Sequence, residues 1–155
     1  MRIVGVDPET ARLRSMAGGT IEFLGALSNH DLWQAYAHAR ALLFAADEDF
    51  SMAPLEAQAC DRPVIAYGKG GALETVRARN PPPPGQPLGA GQTTGAFFYE
   101  QTPEAVMEAI VDFEATEDEY LPHSIQMHAR QFDTAHFVDR MREFMLPWHP
   151  GPIAG

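Results

Sequence analysis

Glu48 and Glu56 are the side chains with most to offer chemically, and they flank seven residues in the segment Glu48-Asp49-Phe50-Ser51-Met52-Ala53-Pro54-Leu55-Glu56. The segment follows the apolar run Ala41-Leu42-Leu43-Phe44-Ala45, which reads as a fully buried strand. Pro54 suits the first turn of a helix, because the amide it lacks would be unpaired there. In parallel α/β sheets, ligands sit outside the carboxyl ends of the strands, where this segment falls. The amides of Ser51, Met52, Ala53 and Leu55, exposed at a helix start, are suited to cradling a diphosphate, and Pro54 adds none. Glu56, in the first turn, is placed to accept hydrogen bonds from the two vicinal hydroxyls of a ribose. Glu48, before the turn, is placed to meet a sugar ring. A plainer reading stands beside this one: Glu48 is a surface residue, and Glu56 a first-turn carboxylate that favours the helix dipole by roughly 0.3 kcal/mol.

The elements that would position this segment alternate between short apolar strands and helical patterns, the mark of β-α-β units and a parallel sheet. Ile3 to Val6 has the pattern of a buried strand, followed by a charged helix from about Pro8 to Met16 and a strand at Ile21 to Leu24. Ser28 is a fitting N-cap, with Asp31 an imperfect capping box, for a helix from Asn29 to Arg40. After the helix that Pro54 opens, which runs to about Cys60, Pro63-Val64-Ile65-Ala66 is a strand. Tyr67-Gly68-Lys69-Gly70-Gly71 is a turn that needs glycine's freedom at positive φ, and Ala72 to Arg77 reads as a short helix. Asn80 to Thr94, rich in proline and glycine, is a long loop. Gly95 to Tyr99 resumes the sheet, and Thr102-Pro103 caps a helix through about Ala115. Ile125 to Phe132 and Ala135 to Leu146 are two further helices, the second with an apolar face of Phe137, Met141 and Phe144. The tail from Pro147 is irregular. The expectation is an α/β fold, one domain over residues 1–146 with a single core.

The chain of 155 residues carries 21 acidic against 11 basic side chains, a net charge of −10. That balance opposes broad contact with a phosphate backbone and argues against nucleic acid as a partner. It leaves room for one small anion held by backbone amides, whose field acts over about a turn. Much of the acid lies between Glu100 and Glu119 and reads as a solvated face. Apolar runs are far shorter than the roughly 20 residues that cross a bilayer. Asp7, Pro8 and Glu9 interrupt the first apolar run, which argues against a signal peptide. A lone Cys60 forms no disulfide framework and reads as a small core residue. A cytoplasmic protein is the expectation. His30, His38, His123, His128, His136 and His149 have no spacing typical of a metal site, and they read as surface or satisfied positions.

Here the sequence resembles a known family. The two glutamates match the paired-glutamate motif of family 4 glycosyltransferases, which have the two-domain GT-B fold. Ile21-Glu22-Phe23-Leu24-Gly25 resembles that family's strand before its amphipathic helix, and Pro54-Leu55-Glu56-Ala57-Gln58-Ala59-Cys60 its following helix. Pro63 to Ala66, Gly70-Gly71-Ala72-Leu73-Glu74-Thr75-Val76, Gly95 to Phe98 and Gln101 to Glu104 continue in register. The stretch Ala66 to Val76 is most similar to bacterial mannosyltransferase-like members. The likeness spans roughly residues 3–146. It implies a Rossmann-like donor-binding domain of a retaining enzyme that transfers a hexose, mannose or glucose, from a GDP- or UDP-sugar. GDP-mannose is the better fit, and no cofactor or metal is implied. By position, the resemblance gives Glu56 the donor ribose and sets Glu48 beside the donor hexose, with a part in transfer. Phe50, Ser51, Met52 and Leu55 would offer amides to the donor, while Gly70 and Gly71, with Lys69 as a phosphate contact, would lie near the cleft.

Two positions depart from the family, which usually has glycine where this chain has Ser51 and Asp61. A positive φ at Ser51 would cost roughly 1 kcal/mol, whereas Asp at a turn tolerates left-handed geometry. The resemblance also implies parts outside these residues: an acceptor-binding domain, and an opening strand and helix with a basic pair for the donor phosphates. The isolated chain is therefore expected to be inactive, because proximity and electrostatic terms supplied by a second cleft wall are missing. Its partners would be a nucleotide sugar and a separate acceptor-binding domain or subunit, or a second copy paired through an exposed sheet edge. A full enzyme of this kind would be cytoplasmic or peripheral to the inner membrane. The other reading is a non-catalytic nucleotide-sugar-binding module, or a subunit of a split glycosyltransferase.

Overall fold

The computed structural model describes residues 1–80 and 91–146. Most of the expected proline-rich loop and the whole of the expected tail lie outside these residues. The chain divides into two compact units, Met1–His38 and Ala39–Gly155.

The first unit is β1 (Arg2–Val4), α1 (Thr10–Met16), β2 (Glu22–Gly25) and α2 (Asn29–Ala37). β1 and β2 run parallel, with Arg2 opposite Glu22 and a register shift between Ile3 and Val4. The expected cap forms: Ser28 Oγ accepts from the Asp31 amide at 3.2 Å and donates to the Asp31 carboxylate at 2.6 Å. The buried character expected of the first strand does not appear. Ile3 is half-buried and its neighbours Arg2 and Val4 are exposed, because two short strands and two short helices enclose too little space to bury a side chain fully.

The second unit holds the larger core. β3 (Leu42–Phe44), β4 (Val64–Tyr67) and β5 (Gly95–Phe98) form a parallel sheet in that order. The α/β class and parallel pairing read from the sequence are present. α3 (Met52–Ala59) connects β3 to β4, and the single turn α4 (Ala72–Thr75) follows β4. After β5 come α5 (Pro103–Ala115), a 3₁₀ turn at Glu117–Glu119, α6 (Pro122–Ala129), a second such turn at Arg130–Phe132, and α7 (Thr134–Met145). Ile65 and Phe98 from the sheet pack with Ala109, Phe113, Tyr120 and Ile125. The central strand β4 is buried over Val64, Ile65 and Ala66. β3, at one edge of these three strands, is half-buried rather than fully buried, whereas β5 at the other edge is buried throughout.

α5 begins as its sequence dictates. Thr102 is in extended geometry and its Oγ1 accepts from the Ala105 amide at 3.2 Å, with Pro103 opening the first turn. Replacing Thr102 by alanine is expected to cost about 1 kcal/mol of stability, read by urea unfolding. The acidic stretch beside it is less purely solvated than its composition suggested. Arg40 reaches Glu114 at 2.8 Å and Glu117 at 2.5 Å, and Arg79 reaches Glu119 at 2.9 Å. These pairs are exposed or nearly so, where solvent screening leaves an ion pair little net effect. On α7 the apolar face expected from the spacing exists but is uncovered: Phe137 is 60% and Phe144 73% exposed.

Candidate functional site

Parallel strands side by side put their carboxyl ends at one edge, so the loops leaving β3 and β4 are neighbours. They meet through the glycine turn. The Gly71 amide donates to the Glu48 carbonyl at 2.7 Å. A Cβ on Gly71 would collide with the Asp49 carbonyl oxygen and lie 2.9 Å from the Phe50 Cα. A Cβ on Gly70 would strike the Glu48 carbonyl oxygen, and Gly70 has φ +58°. Both glycines are therefore required by the close approach of backbone to backbone. Lys69 and Asp47 join the same two loops, with Nζ and Oδ2 2.7 Å apart. The hydrogen bond and charge of Asp47 raise the Lys69 pKa. Lys69, expected to contact phosphate, is thus held by a carboxylate in this structure, and Asp47 is a residue that sequence reasoning missed. Nothing local marks it, because its partner lies 22 positions along the chain.

Ser51 opens α3 from extended geometry, φ −133° and ψ 137°. The strain that a positive φ would have cost is absent, so the loop accommodates serine where the family carries glycine. Asp61 adopts φ +65° just past the helix, as expected of an aspartate in that turn. The Ser51 side chain caps no helix amide, unlike Ser28, Thr102 and Asp133 on α2, α5 and α7. The first-turn amides of α3 are therefore left to solvent or a ligand. Phe50 and Met52 are exposed on either side of Ser51, whereas the Leu55 side chain is buried at 6% and its amide falls where the intrahelical bonds of α3 begin. Glu48 is exposed and Glu56 half-buried. One expectation is corrected. α3 starts at Met52, so its first turn contains no acidic residue, and Glu56 sits one turn further in. The helix-dipole explanation for Glu56 weakens accordingly, since that field fades within the first turn. Cys60, expected in the core, is the half-buried C-cap of α3, and its thiol pKa is raised chiefly by burial.

Behind the loops lies a buried polar cluster that sequence reasoning also missed. Gln58 is fully buried and its Nε2 donates to the carbonyls of Pro54 at 3.0 Å and Thr75 at 2.9 Å. His128 on α6 places Nε2 3.2 Å from the same Thr75 carbonyl. A carbonyl only accepts, so Nε2 carries the proton. Among the described residues Gln58 Oε1 and His128 Nδ1 have no partner, an arrangement that costs about 1–3 kcal/mol per group. Burial lowers the His128 pKa, outweighing the hydrogen bond to Thr75, and the charge of Arg77 lowers it further. The unfolded imidazole, near 6.5, therefore takes up its proton at higher pH than the folded one. Stability is full above that value and falls as pH drops towards the depressed folded value. Unfolding midpoints measured from about pH 7 to about pH 5 should fall more steeply in the natural protein than in His128→Gln.

A separate hollow of about 450 Å³ lies between β5 and α5, lined among others by Asn80, Phe97, Tyr99, Glu104 and Asp112. It contains none of the sequence-predicted site residues. Among the described residues no group of His, Cys, Asp and Glu is arranged to hold a metal ion. No helix among them is long and apolar enough to cross a membrane.

Two parallel strands, two loops locked by a pair of glycines and the start of α3 thus meet at the carboxyl edge of the sheet. Residues 1–115 match the family of glycosyl transferases group 1, and the chain belongs to that family. Solved structures with the same fold include Anabaena Alr3699/HepE in complex with UDP, at 20% identity and TM-score 0.64, covering 93% of this chain and 40% of that one. Sucrose-phosphate synthase from Thermosynechococcus elongatus aligns at 21% identity and TM-score 0.71, covering 95% and 38%. AviGT4, a glycosyltransferase involved in avilamycin A biosynthesis, aligns at 19% identity and TM-score 0.52, covering 92% and 41%. The likeness is to the GT-B glycosyltransferase fold, and the chain spans about two fifths of each of these proteins. No curated protein sequence matches the chain significantly.

Proposed function

We propose that the chain is the donor-binding part of a retaining family 4 glycosyltransferase, taking a GDP- or UDP-hexose at the loops after β3 and β4. The observation that carries this reading is the seating of Gly70 and Gly71 on the Glu48 loop in a member of the group 1 family. In this reading the amides at the start of α3 hold the diphosphate, Glu56 takes the ribose hydroxyls, and Glu48 lies beside the hexose. The amides of Phe50, Ser51 and Met52 serve the sugar hydroxyls. Lys69 exchanges Asp47 for a phosphate oxygen when the donor binds. No metal takes part. The GDP-mannose preference is supported by the Ala66 to Val76 stretch, whereas the solved relatives that name a nucleotide name UDP. Glycosyl transfer itself requires an acceptor-binding wall facing these loops. The whole enzyme works in the cytoplasm or at the inner-membrane surface. Calorimetric titration with GDP and UDP tests the reading: saturable binding of one of them supports it, and no heat from either at millimolar ligand rejects it.

A second reading is a nucleotide-sugar-binding module, or a subunit of a split glycosyltransferase, that uses the same glycine-seated loops without catalysis of its own. It shares the donor site and differs in its partner. Transfer activity on adding a separately produced acceptor domain would decide for a split enzyme.

A further inference from the structure

Buried hydrogen bonds run without a break from α6 to the loop that carries Glu48. His128 and Gln58 both donate to the Thr75 carbonyl, and Gln58 also holds the Pro54 carbonyl in the first turn of α3. Thr75 Oγ1 donates to the Gly71 carbonyl at 3.0 Å, and the Gly71 amide donates to the Glu48 carbonyl. α4, which contains Thr75, is a single turn of four residues and starts at a glycine with no cap to offer. A helix that short has no stability of its own, so its place must come from outside bonds. Gln58 and His128 each leave one buried polar atom without a partner among the described residues. Apolar side chains in their place would leave the Thr75 carbonyl without these two donors, so the pair serves that carbonyl at the cost of two unpaired atoms.

We propose that Gln58, Thr75 and His128 are positioning residues, a buried strut that holds the glycine turn and the start of α3 against the Glu48 loop. The strut touches no ligand. It sets the spacing of the groups that do, and in that respect rests on the donor reading of the same site. Thr75→Val keeps the volume and removes the hydroxyl bond to Gly71. Gln58→Met removes both amide bonds, and Thr75→Ser is the conservative variant that restores the hydroxyl.

Amide hydrogen exchange followed by NMR at a temperature where every variant is folded reads the strut directly. The expected result in Thr75→Val is exchange at Gly71 faster by about tenfold, with the β4 amides unchanged and Thr75→Ser close to the natural protein. Affinity for the nucleotide that binds should fall by about fivefold in Thr75→Val and Gln58→Met, with recovery in Thr75→Ser. Unaltered exchange at Gly71, or acceleration of Gly71 and β4 by the same factor, overturns the proposal. If the natural protein bound neither GDP nor UDP, the donor reading would fall, and the exchange at Gly71 would still decide the strut.

Discussion

Gly71→Ala is expected to unseat the Glu48 loop and to lower stability by about 2 kcal/mol or more. The new methyl group would lie against the Asp49 carbonyl carbon at 2.8 Å and the Phe50 Cα at 2.9 Å, inside the reach of its carbonyl oxygen as well. All three are backbone atoms and none can swing aside as a side-chain tip would. Gly71 is buried, so the turn cannot relax outward without losing the Gly71 to Glu48 hydrogen bond. Gly70→Ala adds a different penalty, because its φ of +58° costs an L-residue roughly 1 kcal/mol before any collision. Nucleotide binding should weaken by about tenfold or more in Gly71→Ala, since a shift of the loop by a fraction of its own contact distance misplaces every donor group it carries. Urea unfolding combined with titration of GDP and UDP checks both effects. A variant that binds as the natural protein does would show that the glycine turn is a folding device and nothing more.

Glu56→Ala should abolish most nucleotide affinity, by about 10–100-fold, while the protein still unfolds cooperatively. The magnitude follows from losing one or two hydrogen bonds to a charged acceptor, each contributing about 1.5 kcal/mol or more. Glu56→Gln retains an acceptor oxygen and loses the charge, so its loss should be smaller. The contrast between the two variants separates ribose recognition from a role in helix stability. Glu56 lies beyond the first turn of α3, where a carboxylate gains little from the helix dipole. Loss of stability in both variants with unchanged affinity would return Glu56 to the plainer reading.

Features encoded within one turn of chain were legible in the sequence. Ser28 and Thr102 cap the helices they were expected to cap, because a side chain bonding an amide three residues on depends on local geometry alone. The left-handed Asp61 and the glycine at positive φ before α4 were legible for the same reason. Burial at the margins was not. The apolar runs at β1 and β3 look alike in sequence to β4 and β5, yet only the latter two are buried, their Ile65 and Phe98 packing with α5 and α6. The periodic Phe137, Met141 and Phe144 on α7 identify an amphipathic helix without saying what, if anything, covers it. At the site, the paired glutamates and glycines were visible as residue types. What joins them was not: Asp47 to Lys69, and Gln58 and His128 to Thr75, are contacts between chain segments 17 to 53 positions apart. Such pairings exist only once the sheet has brought its loops together.

Amide shifts in an NMR titration with GDP or UDP test the central claim most directly, because they place the ligand on named residues. The expected result is perturbation concentrated at Met52, Ala53, Leu55, Gly70 and Gly71, lost in Glu56→Ala. Perturbation instead around Asn80, Tyr99 and Glu104, at the hollow between β5 and α5, would contradict it.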